Sequence, residues 1–268
     1  MVHSPAGKAP LSCYIRTLNE ERRIADVVRA ALRVADEVIV VDSGSTDRTL
    51  ELAVAEGARI VDQPFLGQGF QKRVGEDAAR HDWLLDLDAD EVVPPALADE
   101  IAALFAQGEP SGPVYALPMI ICPPDGPAWE GFSISWRNKL YDRRRLRMPE
   151  HRRYDQLELP ADVAPQRMAN PIHHFAFRDI ANLVAKMNGS STRGAEGSKR
   201  KGRAVLALRI LFGMPAYMLQ HVVMRGRWRG GLYGVAVGTV LAWGRWLRDV
   251  KMYELHRREQ WHRRNPPK

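Results

Sequence analysis

The residue pattern best suited to chemistry is a set of three aspartates at every second position. Asp86, Asp88 and Asp90 follow the apolar run at 83–85. Alternate residues of a β-strand face the same side, so the three carboxylates are expected to point in one direction. Buried like charges are costly unless a cation or hydrogen-bond donors accompany them. The pattern predicts a site for Mg²⁺ or Mn²⁺ that bridges a diphosphate, and the alternative is a solvated acidic turn.

Two further polar segments follow apolar runs, at 15–21 and 42–47. Asp42 begins a Gly/Ser turn, where its carboxylate suits a uracil N–H group or ribose hydroxyl groups. The alternative is a helix cap near Asp47, because Ser, Thr and Asp often accept hydrogen bonds from the first turn of a helix. Both uses are compatible if different residues serve them. The convergence of three polar segments is more informative than any one of them.

Apolar and polar segments alternate along the first 110 residues in the manner of strands and helices. The predicted strands are 11–17, 37–42, 58–63 and 83–91, and the predicted helices are 24–34, 48–57, 71–80 and 94–108. Asn19 is the expected N-cap of the first helix. This order predicts a doubly wound, mostly parallel α/β sheet with helices on both faces. Because the carboxyl ends of parallel strands meet at one edge, the three polar segments should lie together there.

The composition excludes several classes of protein. The chain has 268 residues, 45% hydrophobic and 26% charged, which excludes collagen, a coiled coil and a mainly disordered chain. Its two cysteines are too few for a disulfide framework or a four-thiolate zinc site, so a reducing compartment is expected. Residues 1–10 are expected to form a flexible polar tail, and their lack of the apolar run of a signal peptide favours an expected location in the cytosol.

The charge is distributed unevenly along the chain. Residues 1–110 carry 11 Lys/Arg and 20 Asp/Glu, whereas residues 111–268 carry 28 and 12. The basic half predicts an anionic partner, such as a phosphorylated substrate, an acidic lipid or a nucleic acid, and the alternative is a role in solubility. A nucleic acid is not expected, because the front half is acidic and the aromatic residues do not interleave with the arginines.

Two runs of 15 residues, 210–224 and 230–244, contain no Asp, Glu, Lys or Arg. Fifteen helical residues span about 22 Å, less than the roughly 30 Å of a bilayer core. The runs therefore predict amphipathic interfacial or re-entrant helices, with flanking arginines near anionic lipid. The alternative is a buried helical hairpin of a soluble core. The segment before them, 190–203, is expected to be a polar, basic linker.

Three motifs give the sequence a resemblance to a known family. They are Thr-Leu-Asn-Glu-Glu at 17–21, Val-Val-Asp-Ser-Gly-Ser-Thr-Asp-Arg-Thr at 40–49 and Leu-Asp-Ala-Asp-Glu at 87–91. In type and spacing they resemble the inverting glycosyltransferases of family 2, which have the GT-A fold. The segment 67–73 resembles a glycine-containing loop of the same family. Looser matches to the bacterial lipopolysaccharide-core β-glucosyltransferase subgroup lie at 139–144, 154–158 and 173–179. The resemblance covers about 230 residues of the chain.

The resemblance implies which residues bind the donor and the cation. Asp88 and Asp90 would hold a divalent cation, Mg²⁺ or Mn²⁺. The nucleotide sugar would contact residues that follow several strands, namely Thr17, Asn19, Glu20, Asp42, Lys72 and Asp88.

The resemblance also implies a catalytic base. Asp155 stands where the subgroup has an acidic residue, and Glu150 and His151 are rival candidates. His173 and His174 would orient the acceptor or bind metal, and the alternative for either is a structural histidine.

The implied activity is inverting transfer of a sugar from a nucleotide sugar, such as a UDP-hexose, to a lipid-linked glycan such as lipopolysaccharide core. Residues 11–110 would bind the donor and 111–200 the acceptor. Residues 201–268 would dock on anionic lipid at the cytoplasmic face of the plasma membrane. The alternatives are a polyprenyl-phosphate glycosyltransferase and a sugar-phosphate nucleotidyltransferase. The loop at 16–21 lacks the glycines that favour the latter.

Overall fold

The computed structural model describes residues 9–132 and 134–265. By their contacts these residues divide into two compact units. Unit 1 comprises 9–121 and 135–175, and unit 2 comprises the described residues of 122–134 and 176–265. The predicted boundaries at 110 and 200 therefore lie inside unit 1 and inside unit 2. Of the predicted tail, residues 1–8 lie outside the described residues, and Ala9 already belongs to the first strand.

Unit 1 contains a mixed sheet of nine strands within the described residues. The strands are β1 (Ala9–Thr17), β2 (Ala35–Asp42), β3 (Arg59–Asp62), β4 (Trp83–Asp88), β5 (Glu91–Val92), β6 (Val114–Ile121), β7 (Ser135–Asp142), β8 (Gln166–Arg167) and β9 (Ile172–His174). Their order is β3-β2-β1-β4-β7-β6-β9-β5, with β8 beside β6. The first four strands are parallel, whereas β7 runs antiparallel to β4 and β6. The predicted α/β class is confirmed.

Helices cover both faces of this sheet, as predicted. They are α1 (Ile24–Ala31), α2 (Thr49–Ala55), α3 (Gln68–Ala78) and α4 (Pro95–Phe105). Ile15 and Val40 belong to the same buried apolar cluster as the inner side of α1. The alternate residues Tyr14 and Ile39 belong to a second cluster, with Ala78 of α3 at its edge. The strands read as continuous apolar runs because both of their faces are buried.

The prediction that Asn19 caps the first helix is wrong. The residue before α1 is Arg23, and its side chain makes no capping hydrogen bond. Asn19 instead adopts a φ of 54° and accepts a hydrogen bond from the backbone N–H of Thr46 at 2.8 Å. A short polar side chain tolerates this left-handed conformation. Asn19 therefore ties the loop after β1 to the loop after β2.

Unit 2 is helical. Its helices are α5 (Ile180–Gly197), α6 (Arg203–Met218), a π-helical segment (Leu219–Met224), a 3-10 turn (Arg227–Gly230) and α7 (Gly231–Arg264). Asp179 caps α5 by accepting from the N–H of Asn182 at 2.7 Å. The linker predicted at 190–203 is wrong over its first half, because α5 continues to Gly197 and buries Ser191 and Ala195. Glycine, serine and threonine at 189–194 have weak helix propensity, and tertiary burial of this helix overrides it.

One helix in the described part of the chain is long and apolar enough to cross a membrane. It joins α6 to the π-helical segment as Arg203–Met224, 22 residues with a mean hydropathy of 1.3 over the qualifying window. Only 17% of that window is buried. The helix is therefore longer than the 15-residue uncharged run from which a short interfacial helix was predicted.

Candidate active site

A cavity of about 510 Å³ opens at the carboxyl ends of β1, β2 and β4. Its lining combines polar side chains from these strand ends with a few apolar ones, namely Arg16, Thr17, Leu18, Glu20, Ser43, Phe65, Gln68, Gln71, Asp88, Ala89, Asp90 and His174. Four of the residues predicted to bind the donor or the cation are thus brought together: Thr17, Glu20, Asp88 and Asp90. Open α/β sheets bind their ligands at this position, beyond the carboxyl ends of the strands.

Arg16 connects two carboxylates at the wall of this cavity. Its Nε lies 2.6 Å from Asp88 Oδ1, and its Nη2 lies 3.0 Å from Asp155 Oδ2. Arg16 also donates a hydrogen bond to Gln68 on the first turn of α3. Arg16 therefore holds Asp155, the predicted base, close to Asp88, although Asp155 does not itself line the cavity.

A cluster of buried charges lies behind Asp88. Lys72 Nζ is 2.7 Å from Asp86 Oδ2, and Lys139 Nζ is 2.7 Å from Glu91 Oε2. Lys139 is also 3.6 Å from Asp86 and 3.9 Å from Asp88, so Asp86 and Asp88 share a face as predicted. These ion pairs offset the cost of burying four charged side chains that are at most 3% exposed. Lys72, predicted to contact the nucleotide, is thus inside the protein and not in the cavity wall.

The neighbouring cations fix the charge of Asp88. Burial disfavours its ionised form. Lys72, Lys139 and Arg16 outweigh this effect and hold the pKa of the Asp88 carboxyl well below its usual value. Burial likewise disfavours the charged form of Lys139, but Asp86 and the carboxylates beside it raise the pKa of Lys139 above its ordinary value. Asp88 is therefore an anion at neutral pH, able to bind a cation or accept from a hydroxyl group.

Asp90 and His174 form another part of the cavity wall. His174 ends β9, where it pairs in register with Glu91, the residue after Asp90. His174 Nε2 lies 3.5 Å from Asp90 Oδ2. Burial opposes the charged imidazole, but its hydrogen bond to Asp90 and the charge of Asp90 raise the pKa of His174 above the ordinary value. The structure therefore favours Asp90 as the partner of His174.

The residues present fit a divalent cation that is shared with a substrate. Across the described ranges, no group of three or more His, Cys, Asp or Glu side chains is arranged to hold a metal ion. Mg²⁺ in phosphate-transferring sites is usually bound by one or two carboxylates plus substrate phosphates and water. Asp88 and Asp90 face one cavity and supply two such carboxylates. A cation would then require diphosphate oxygens to complete its coordination.

Asp42 is buried and organises the loop after β2. Its Oδ2 accepts from the N–H groups of Gly44 at 2.9 Å and Ser45 at 2.7 Å, and its Oδ1 accepts from the Ser45 hydroxyl at 2.5 Å. Ser43, not Asp42, lines the cavity. The residue before α2 is Arg48, whose side chain makes no capping hydrogen bond, but Asp47 Oδ1 accepts from the N–H of Thr49, the first residue of α2, at 3.0 Å. The contact of Asp42 with a nucleotide remains a prediction.

Two buried oxygen atoms in the cavity wall, Thr17 Oγ1 and Gln71 Oε1, have no hydrogen-bond partner among the residues that the structure describes. Thr17 is 5% exposed and Gln71 is 1% exposed. The amide nitrogen of Gln71 is used, because it donates to the Ser43 hydroxyl at 2.6 Å and the Gln63 carbonyl at 2.9 Å. A buried oxygen without a partner costs about 1–3 kcal/mol. A ligand that hydrogen-bonds to these atoms would remove that cost.

Residues 67–69 form backbone hydrogen bonds with the segment that carries Asp155. The backbone N–H groups of Gln68 and Gly69 donate to the carbonyls of Arg152 at 3.0 Å and His151 at 2.9 Å. A Cβ on Gly69 would lie 2.2 Å from the Pro149 carbonyl oxygen. The glycine is required because the two backbones touch.

The rival base candidates lie away from the cavity lining. Glu150 is 60% exposed and lies 3.7 Å from Arg73. His151 Nδ1 accepts from the backbone N–H groups of Arg153 and Tyr154. Of the three candidates, Asp155 is the one whose side chain pairs with a residue of the cavity wall.

Sequence reasoning missed three residues of this site. Gln71, Lys139 and Glu91 were within motifs that the sequence singled out, at 67–73, 139–144 and 87–91. Their buried partners come from other elements, so no local pattern identified them.

Comparison with known proteins gives a family and several relatives. The family model described as glycosyl transferase family 2 matches residues 12–168. An uncharacterised glycosyltransferase of Rickettsia bellii is 30% identical over 257 residues, which cover 91% of this chain and 86% of that protein. The lipopolysaccharide core biosynthesis glycosyltransferase LpsC of Rhizobium meliloti is 27% identical over 93% of this chain and 94% of its own length.

Among solved structures, the chain is similar to glucosyl-3-phosphoglycerate synthase from Mycobacterium tuberculosis in complex with Mg²⁺ and uridine diphosphate. The identity is 28% and the TM-score 0.34, over 44% of each chain. The chain thus spans less than half the length of that structure.

Proposed function

The chain belongs to glycosyl transferase family 2, and on this premise we propose that it transfers a sugar, with inversion, from a UDP-hexose to a lipid-linked or phosphorylated glycan. One observation carries the donor part of the proposal. A cavity of about 510 Å³ at the strand ends combines two carboxylates with the buried, unpartnered oxygens of Thr17 and Gln71. This combination suits a nucleoside diphosphate, whose phosphates need a cation and whose base and ribose offer hydrogen-bonding groups.

Inversion requires a single displacement at the anomeric carbon. The acceptor oxygen forms a bond to that carbon as the bond to the diphosphate breaks, and the acceptor proton passes to a base. Asp155 is the proposed base, because Arg16 holds its carboxylate 3.0 Å from Nη2 at the cavity wall. Positioned general bases typically contribute about 10²–10⁴-fold to rate.

Asp88 and Asp90 are the proposed ligands of Mg²⁺ or Mn²⁺. When bound, the cation supplies Lewis-acid stabilisation of the departing diphosphate. The protein's own contribution is to keep Asp88 ionised through Lys72, Lys139 and Arg16, and to place Asp90 beside His174.

The acceptor class and the location are supported by two observations. LpsC, the Rhizobium meliloti relative, is a lipopolysaccharide core biosynthesis glycosyltransferase similar to this chain over 93% of its residues. The helix Arg203–Met224 exposes Leu208, Leu211 and Phe212, which are 59–71% accessible. We propose that the protein acts at the cytoplasmic face of the plasma membrane, with this helix in contact with anionic lipid.

The donor proposal is tested by thermal shift and by turnover. UDP with Mn²⁺ should raise the Tm of the protein, because a ligand that binds the native state stabilises it by mass action. Hydrolysis of a UDP-hexose should fall about 100-fold or more in Asp90→Asn. The matched control is Asp99→Asn, which removes a carboxylate from the exposed side of α4.

The outcomes separate the possible functions. Unchanged turnover in Asp90→Asn would remove the metal assignment. Release of pyrophosphate from a nucleoside triphosphate and a sugar phosphate would replace the proposal by a nucleotidyltransferase. Transfer to polyprenyl phosphate, but not to lipopolysaccharide core, would change the acceptor class and leave the donor site unaltered.

A further inference from the structure

A second cavity lies within unit 2, among the helices α5 and α7 and the π-helical segment. Its volume is about 250 Å³. The lining combines cations, hydroxyl groups and a few apolar atoms, and contains no carboxylate: Met187, Ser190, Ser191, Gly194, His221, Leu241, Gly244, Arg245 and Arg248. A cavity with this lining is electropositive.

Buried nitrogen atoms at this cavity lack partners. His221 Nδ1 and Arg248 Nε are both inaccessible to solvent and form no hydrogen bond with any part of the chain that the structure describes. Among the described residues, neither Arg245 nor Arg248 lies within 4.0 Å of a carboxylate oxygen. Arg248 is partly buried, whereas Arg245 is exposed and its guanidinium carbon lies 5.9 Å from the centroid of the Tyr217 ring. The cavity therefore has a surplus of positive charge and one unused buried donor, Arg248 Nε.

The surroundings add to this surplus. Arg227 is 3% exposed, its Nε has no partner, and its Nη1 donates to the His221 carbonyl at 2.9 Å. Burial and the charge of Arg225 lower the pKa of Arg227 to about 10. Burial and the charge of Arg245 lower the pKa of Arg248 in the same way. A bound anion would relieve this unfavourable charge.

The charge of the nearby carboxylate, Asp249, opposes the lowering of the pKa of Arg248, but its oxygens are bonded to other groups. Asp249 is fully buried, and its two oxygens lie 3.0 Å from Lys201 Nζ and 3.1 Å from Arg209 Nε. The Tyr217 hydroxyl also donates to Asp249 at 2.5 Å. Asp249 is therefore committed to another cluster, made by α6 and its preceding residues.

We propose that this cavity binds a phosphate group through Arg245, Arg248 and His221. Arginine matches phosphate because its planar guanidinium donates two parallel hydrogen bonds. Ser190 provides a further hydroxyl in the lining, and Lys251 adds charge next to it by donating to Ser191 Oγ at 2.9 Å. The site shares no residue with the sheet cavity, so the inference does not depend on sugar transfer.

The cavity has room for such a group. A water molecule takes roughly 30 Å³ of liquid volume, so 250 Å³ holds a tetrahedral anion with water around it. Gly194 lets the Arg248 side chain cross α5, because a Cβ there would lie 2.7 Å from Arg248 Cδ. The position of Arg248 in the wall thus depends on a glycine in the neighbouring helix.

The test measures anion binding by the full chain, with sodium phosphate against sodium chloride at equal ionic strength. Phosphate should raise the Tm of the parent protein by several degrees more than chloride. This difference should disappear in Arg245→Gln and Arg248→Met. The control Arg263→Gln, which removes an exposed charge from the end of α7, should keep it. Arg245 is exposed, so its substitution should not prevent folding.

Two further arms identify the source of the phosphate. Glycerol 3-phosphate represents a free phosphate ester, and phosphatidylcholine vesicles with phosphatidic acid represent a lipid headgroup. Binding of either probe, with at least a tenfold weaker Kd in Arg248→Met than in Arg263→Gln, supports the site. The proposal would be overturned if phosphate and chloride raised the Tm of the parent protein equally. It would also be overturned if Arg248→Met and Arg263→Gln reduced the phosphate effect on Tm, or the affinity for the probe, to the same extent.

Discussion

Arg16 and Asp88 are register partners on the adjacent parallel strands β1 and β4, and Arg16 Nε lies 2.6 Å from Asp88 Oδ1. The pair sits at the carboxyl ends of both strands, where the cavity begins. Arg16 also reaches Asp155, so one cation orients the proposed metal ligand and the proposed base.

We expect Arg16 and Asp88 to be energetically coupled. Both side chains are less than one-third exposed, so their charge-assisted hydrogen bond should contribute about 1–2 kcal/mol. The measurement is a double-mutant cycle of Arg16→Met, Asp88→Asn and the double variant, with urea unfolding as the readout. A coupling energy near zero would mean that the contact does not stabilise the native state.

Removal of the Thr17 hydroxyl should separate binding from stability. Thr17 Oγ1 is buried without a partner, so Thr17→Val should leave the free energy of unfolding unchanged or slightly raise it. The affinity for UDP should fall about fivefold to tenfold, which is the loss of about one hydrogen bond. Calorimetric titration with UDP and Mn²⁺ measures this. Parental affinity in the variant would exclude Thr17 from the donor site.

His174 should give stability a specific pH dependence. Asp90 raises the pKa of His174 above 6.5 in the native state despite burial. The stabilising contribution is therefore complete at pH values below the unfolded pKa and is lost as the pH rises through the native pKa. His174→Gln should then destabilise the protein more at pH 5.5 than at pH 9, as measured by urea unfolding. An equal or larger effect at pH 9 would contradict the His174–Asp90 interaction.

Gly69→Ala should displace the segment that carries Asp155. The added Cβ would lie 2.2 Å from the Pro149 carbonyl and 2.6 Å from the Tyr154 carbonyl, so backbone has to move. We expect a loss of about 1–3 kcal/mol in stability, as for other overpacked sites, and reduced turnover. Gly202→Ala is the control, because a Cβ at Gly202 meets no atom within 4 Å and its φ of −62° suits any residue. If Gly69→Ala and the control variant have equal turnover, the contact at Gly69 does not contribute to catalysis.

The sequence by itself determined the sheet and the group of residues at its edge. The continuous apolar run at 37–42 predicts a strand buried on both faces, and β2 forms there. The strand predicted at 83–91 forms as β4 over Trp83–Asp88 and ends three residues early. Since β1, β2 and β4 are parallel, their carboxyl ends necessarily meet. This is why Thr17, Asp88 and Asp90 could be placed at one site from spacing and resemblance alone.

Only the tertiary structure decided which of these groups face the cavity and which partners they have. Lys72 is directed to Asp86 inside the protein, and Lys139 reaches the same carboxylate from an antiparallel strand. His174 meets Asp90 because the two-residue strand β5 pairs with β9. Local periodicity specifies the face on which a side chain lies. Charge pairing acts over about 3–4 Å between residues far apart in the chain, so it depends on strand order and register.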